Sequence, residues 1–126
     1  PATGRQVVWH SPKPLDTAAM AEAAVILLGT HDFKAFEGTG SPRDHTIRSV
    51  TDSTLRITGD GNLTYDIQAN GFLRFMVRNV VGTLVDVGVG KIDKQDVQAI
   101  LQSKDRSRAG ATAPPQGLFL MDVIYA

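Results

Sequence analysis

Two arginines four residues apart, Arg74 and Arg78, stand inside the run 67–91, IQANGFLRFMVRNVVGTLVDVGVGK. The run reads as a polar-edged strand leading into a helix that is apolar on almost every side. At this spacing two helical side chains lie on one face, one above the other. A pair of guanidinium groups so placed offers flat, permanently charged forks to carboxylate or phosphate oxygens. A helix this apolar is expected to be buried, and a buried cation without a partner costs about 3–5 kcal/mol. Asp86 lies two turns or more further along and answers neither arginine. Periodicity favours an internal ion pair, with a substrate phosphate or a functional carboxylate kept open as the anion.

Other chemistries are poorly supported. The histidines at 10, 31 and 45 lack the close helical or hairpin spacing of metal ligands, and no metal site is expected. Gly88-Val89-Gly90-Lys91 imitates a phosphate loop, but such a loop follows a strand and opens a helix, whereas this one follows a helix. No Ser-His-Asp or paired-carboxylate arrangement emerges from spacing. Asp52, Asp60 and Asp66 fall in or near a hairpin, where solvated or turn-forming roles are expected. Tyr65, Phe72 and Phe75 could stack on bases, but their alternation favours core packing.

Composition sets the frame. With 126 residues, 42% hydrophobic and 21% charged, the chain suits one folded domain. Thirteen basic residues balance thirteen acidic ones, so an anion-binding surface must come from local clustering. Between Gly71 and Lys91, three cations (Arg74, Arg78, Lys91) face one acid, Asp86. The absence of cysteine removes disulfides and thiolate chemistry. No apolar run approaches the ~20 residues of a membrane span, and no basic-then-apolar leader follows Pro1. No membrane association is expected, and a cytoplasmic setting fits.

The elements that must position the arginines follow from pattern. Residues 5–10 read as a strand, stopped by the prolines of 11–14. Asp16 is expected to cap an alanine-rich helix to about Leu28, with Gly29 as its stop. Phe33 and Phe36 anchor a turn, and 37–42 form a loop. A long hairpin spans about 44–69, turning near 59–62 and bulged at 51–53. Asn70 is expected to cap the arginine helix from Gly71, with Gly88 and Gly90 ending it. Asp93, with Asp96 three residues on, opens a short amphipathic helix with Val97, Ile100 and Leu101 inward. An irregular stretch, 106–117, precedes a buried strand at 118–125. The order β-α-β-β-α-α-β predicts an α+β domain: a mixed, mainly antiparallel sheet with helices on one face.

The run ANGFLRFMVRNVVGTLVDVGVGK closely resembles a signature of the tRNA pseudouridine synthase A family, A-N-x-F-x-x-x-M-V-R-N-x-V-G-x-L-x-x-V-G. Leu28-Gly29-Thr30-His31-Asp32-Phe33 with Phe36 resembles its L-G-x-x-D-F-x-x-F turn, and Thr46-Ile47-Arg48 a strand start. Asp105-Arg106, residues 109–114 and Gly117-Leu118 resemble its D-R…A-x-x-T-A-x-x-G-L-x-L ending. The matches run in order from about residue 15 to Tyr125.

The resemblance implies isomerisation of uridine to pseudouridine on the 3′ side of the tRNA anticodon arm, without cofactor or metal. It also implies a homodimer, each subunit built of two α+β halves with the RNA cleft between them. The family's nucleophilic aspartate, in a G-R-T-D loop, and a base-stacking tyrosine belong to the N-terminal half. Neither element is found here, since the only Gly-Arg pair, Gly4-Arg5, is followed by Gln6. Residues 1–126 therefore resemble the C-terminal half alone, expected to be inactive by itself. On that likeness Arg78 pairs with the catalytic aspartate, and Leu118 forms an apolar wall against uracil. Arg74 suits a phosphate contact, and Asn79, Arg48, Lys91 and Arg106 complete the expected RNA cradle. Phe75 replaces a residue that is often His, and Pro115 a common Ala. A noncatalytic RNA-binding or dimerisation module of the same fold is the alternative.

Overall fold

Alternating apolar residues at Leu63, Tyr65, Ile67 and Ala69 make the β4 strand (Leu63–Ala69) one inner wall of the core. The computed structural model describes residues 3–10, 14–38, 45–58 and 62–109, and the backbone alone of 118–124. Residues 11–13, 39–44, the expected hairpin tip at 59–61, residues 110–117 including Pro115, and the side chain of Leu118 lie outside the described residues.

Around β4 stand β1 (Thr3–Trp9), β2 (Gly29–Asp32), β3 (Ile47–Ile57) and β5 (Leu118–Ile124), in the order β2-β3-β4-β1-β5. The α+β class expected from the element order is what forms. The sheet is antiparallel at every described pairing rather than mixed, because β1 lies between β4 and β5 and runs opposite to both. The register steps from Val50↔Ala69 to Asp52↔Gln68, which places the expected bulge at Thr51. Three helices, α1 (Thr17–Val25), α2 (Met76–Gly88) and α3 (Lys94–Ser103), share one core with the strands. On the opposite strand face Gln6 Nε2 donates to Asp66 Oδ1 at 2.9 Å, and Arg56 pairs with the same carboxylate.

Several local expectations hold. Asp16 caps α1 by accepting from Ala19 N, and Asp93 and Asp96 form a complete capping box on α3. Gly90, at φ +81°, follows the end of α2, and Phe33 and Phe36 are fully buried. Gly88 has no room for a side chain, since a Cβ there would stand 2.5 Å from Met20 Sδ. Tyr65 is also core, its hydroxyl 2.6 Å from Ser53 Oγ, and burial pushes its pKa well above the tyrosine range.

Two expectations fail. The first helix ends at Val25, and Gly29–Asp32 forms an edge strand on β3 where a turn was expected. That strand is short and polar, without alternation, and is held by contacts such as Thr30 Oγ1 to Ser49 Oγ at 2.7 Å. The second failure matters more. Asn70 does not cap the arginine helix, because its side chain accepts from Ser49 N at 2.9 Å and its own N–H donates to Ser49 O at 3.1 Å. These bonds extend the β3–β4 ladder, so the chain needs residues 71–75 to cross to the helical layer. Helix α2 therefore begins at Met76, leaving Arg74 before the helix and Arg78 in its first turn. The two arginines do not share a helix face, and neither is fully buried.

Candidate functional site

The crossing segment and the first turn of α2 line an open pocket of about 430 Å³ together with Arg5 of β1. Leu73 is buried and anchors the segment, and Met76 N donates to its carbonyl at 3.0 Å. The Arg5 guanidinium carbon lies 4.9 Å from the Phe72 ring centroid, and that of Arg74 lies 4.9 Å from the Phe75 centroid. Both are cation–π distances. Arg78 completes a lining of three guanidinium groups, two phenyl rings and no acid among the described residues.

The electrostatics of α2 reinforce this sign. Its N-cap position is Phe75, which supplies no side-chain acceptor, and its first turn contains no acidic residue. Arg78 sits two residues into the helix, at the positive end of the macrodipole, where a cation is disfavoured by about 0.3–1 kcal/mol. Between pairs of described residues, ion pairs join Arg56 to Asp66 and Lys94 to Glu22, and Arg74 and Arg78 meet no described carboxylate. An anion entering the pocket would therefore be attracted by side chains and helix together.

The remaining sequence-predicted site residues fall at different distances from this centre. Arg48 lies over Gly71, where an added Cβ would stand 3.5 Å from its Nε, so it flanks the Phe72 side. Its Nη1 donates to the Ile47 and His45 carbonyls at 2.8 and 3.1 Å. Asn79, expected as an RNA contact, is fully buried, with Nδ2 donating to Phe36 O at 2.8 Å and Oδ1 accepting from Arg106 Nη2 at 3.1 Å. In this arrangement it ties α2 to the 34–36 turn and to half-buried Arg106 rather than reaching solvent. Lys91 lies past the far end of the 13-residue α2, about 20 Å away by helical rise, in a cleft with Asp16, Glu22, Asp93 and Asp96. The backbone of Leu118 pairs with Trp9, four residues along β1 from Arg5.

Sequence reasoning missed Arg5 and the exposure of Phe75. Arg5 is in phase with Val7 and Trp9 of the core face, a signal that an arginine is turned inward on a strand. Phe75, assigned to the core, is 48% exposed because it precedes the helix in the left-handed region, at φ +57°.

A family model described as tRNA pseudouridine synthase matches residues 23–126. A protein called tRNA pseudouridine synthase A from Thermoanaerobacter sp. (strain X514) is 51% identical over 123 residues, covering 98% of this chain and 50% of the relative. One so called from Acetivibrio thermocellus is 43% identical over 121 residues, covering 96% and 49%. A tRNA pseudouridine synthase A 2 from Protochlamydia amoebophila is 44% identical over 123 residues, covering 96% and 47%. The chain spans about half the length of the curated relatives it matches.

Proposed function

Because the chain belongs to the tRNA pseudouridine synthase family, we propose that it is the C-terminal half of an enzyme converting uridine to pseudouridine in the tRNA anticodon arm. The nucleophilic aspartate would come from an N-terminal half, and Arg78 would be its partner. The observation that carries this reading is the acid-poor α2 start, where Arg78 faces a pocket lined by three arginines.

In this mechanism Arg78 holds the incoming carboxylate ionised and oriented by paired charge-assisted hydrogen bonds. The target nucleotide leaves its stack at a cost of a few kcal/mol. The bond from ribose C1′ to N1 breaks, the freed uracil rotates, and C5 bonds to C1′ while the proton on C5 is lost and N1 gains one. Leu118 would wall the uracil. Arg74 and Arg5 would neutralise backbone phosphate at the pocket, with Arg48 and Arg106 beside it. Asn79 would position Arg106 and the first turn of α2. No cofactor or metal takes part in this scheme. The proposed partners are the tRNA anticodon arm and a second copy of the full-length protein, in the cytoplasm. Among the described residues no helix is long and apolar enough to cross a membrane.

The test uses this chain alone and a chimera preceded by the N-terminal half of the Thermoanaerobacter relative, each incubated with an anticodon-arm RNA. Pseudouridine is expected from the chimera only. Turnover by the isolated chain would refute the division of the site. A chimera that binds RNA without converting uridine would favour the noncatalytic RNA-binding alternative.

A further inference from the structure

We infer that Phe75 is a stacking platform for one unpaired nucleobase of the RNA, with Arg74 seated on the same ring and the Arg74 and Arg5 guanidinium groups receiving the flanking phosphates. The inference rests on the RNA reading given above. It starts from a conflict between the residue and its backbone. Phe75 has φ +57°, a region that a bulky side chain rarely occupies. The surroundings hold it there. Gly38 N donates to Arg74 O at 2.7 Å, and Met76 N to Leu73 O at 3.0 Å, fixing the peptide on each side. The backbone of Gly38 comes so close that an added Cβ would stand 2.5 Å from Phe75 Cδ2.

Core packing does not account for this arrangement, since Phe75 is about half exposed. A glycine would fit the same backbone without strain. Strained residues held by their surroundings concentrate at ligand-binding positions. What the ring offers is a flat apolar surface at the mouth of a pocket lined by three arginines and no described acid. The Arg5–Phe72 couple repeats the motif on the other side, at the same 4.9 Å separation as Arg74–Phe75. Alternating cations and aromatic rings match a single-stranded nucleotide, whose base is flat and whose phosphate is negative.

The experiment measures fluorescence anisotropy of a labelled anticodon stem-loop RNA with this chain and with the chimera described above. Each is tested as the parent and as Phe75→Trp, Phe75→Leu and Phe75→Gly. Losing one base–aromatic stack should weaken binding roughly 5- to 150-fold in the Leu and Gly variants, and Trp should retain it. The dependence of affinity on salt should not change, because no cation is removed. Phe75→Gly should melt no lower than the parent while binding less tightly. RNA carrying a single abasic nucleotide at the stacking position should bind the parent and Phe75→Gly equally weakly. Unchanged RNA affinity in Phe75→Gly would overturn the inference. So would a fall in its melting temperature, which would make the ring a packing residue. So would equal parent affinity for every abasic RNA, which would leave an electrostatic surface equally open to an acidic peptide. If ring-dependent binding holds but the chimera makes no pseudouridine, the catalytic reading fails and stacking stands. If pseudouridine forms and the ring substitutions are silent, stacking alone fails.

Discussion

Replacing Arg78 by glutamine separates a structural cation from one waiting for a partner. An arginine paired inside the fold would leave a buried carboxylate unmatched when removed, at about 3–5 kcal/mol. For 126 residues the unfolding entropy near the transition is about 0.26 kcal/mol per degree, so 1 kcal/mol corresponds to about 4 °C. The internal-pair reading thus predicts a fall of roughly 11–19 °C. The structure predicts otherwise. Arg78 is half-buried, meets no described carboxylate, and opposes the macrodipole of α2. Removing its charge relieves about 0.3–1 kcal/mol, offset by lost contacts of its aliphatic stem. The melting temperature of Arg78→Gln, followed by circular dichroism, should stay within about 4 °C of the parent. Pseudouridine formation by the chimera should fall about 10²- to 10⁴-fold, the kinetic equivalent of losing a desolvated ion pair. A drop above about 10 °C would show that Arg78 holds the fold together. Undiminished turnover would remove it from the chemistry.

Four further substitutions test the geometry. Gly88→Ala places a methyl group 2.5 Å from Met20 Sδ and 3.1 Å from Leu15 Cδ2, and should lower stability by about 1–3 kcal/mol in urea unfolding. Tyr65→Phe removes the partner of buried Ser53 Oγ and should cost about 1–3 kcal/mol at neutral pH. Because burial raises the folded tyrosine's pKa, the unfolded chain ionises first. Stability should decline as pH rises above the ordinary tyrosine value near 10, and Tyr65→Phe should flatten that decline in alkaline melts. Arg74→Gln should make the salt slope of RNA binding shallower by about 0.7–0.9, whereas Lys91→Gln, at the acidic far end of α2, should leave it unchanged.

The strand β1 and the alternating strand β4 were legible in the sequence, as were the Asp16 and Asp93 caps, because each rests on local chemistry. The edge strand Gly29–Asp32 was not, since its pairing with β3 leaves no mark in a polar four-residue segment. Asn70 misled for a similar reason. An asparagine before an apolar run satisfies the local capping rule, but here a non-local partner, Ser49, takes its hydrogen bonds. The two arginines were therefore placed wrongly as a pair on one helix face, since Arg74 precedes the helix. Arg5 stayed hidden because nothing local joins it to Phe72, 67 positions away.

The late start of α2 changes why these arginines matter. On a shared buried face they would have needed a partner to remove a desolvation penalty. In the structure the demand is different: α1 and α3 each start with an aspartate that caps them, while α2 starts on a left-handed phenylalanine, without a side-chain cap or a first-turn acid, and adds an arginine. Every rule for stabilising a helix N-terminus is broken at one place, in the segment that also lines the arginine pocket. A sequence that follows local rules elsewhere and departs from them together at one site marks the position where function competes with folding. An aspartate from a second half and an RNA phosphate would supply, on arrival, the negative charge that α1 and α3 carry in their own sequence. Assembly with the N-terminal half should accordingly raise the stability of this half as well as complete the site.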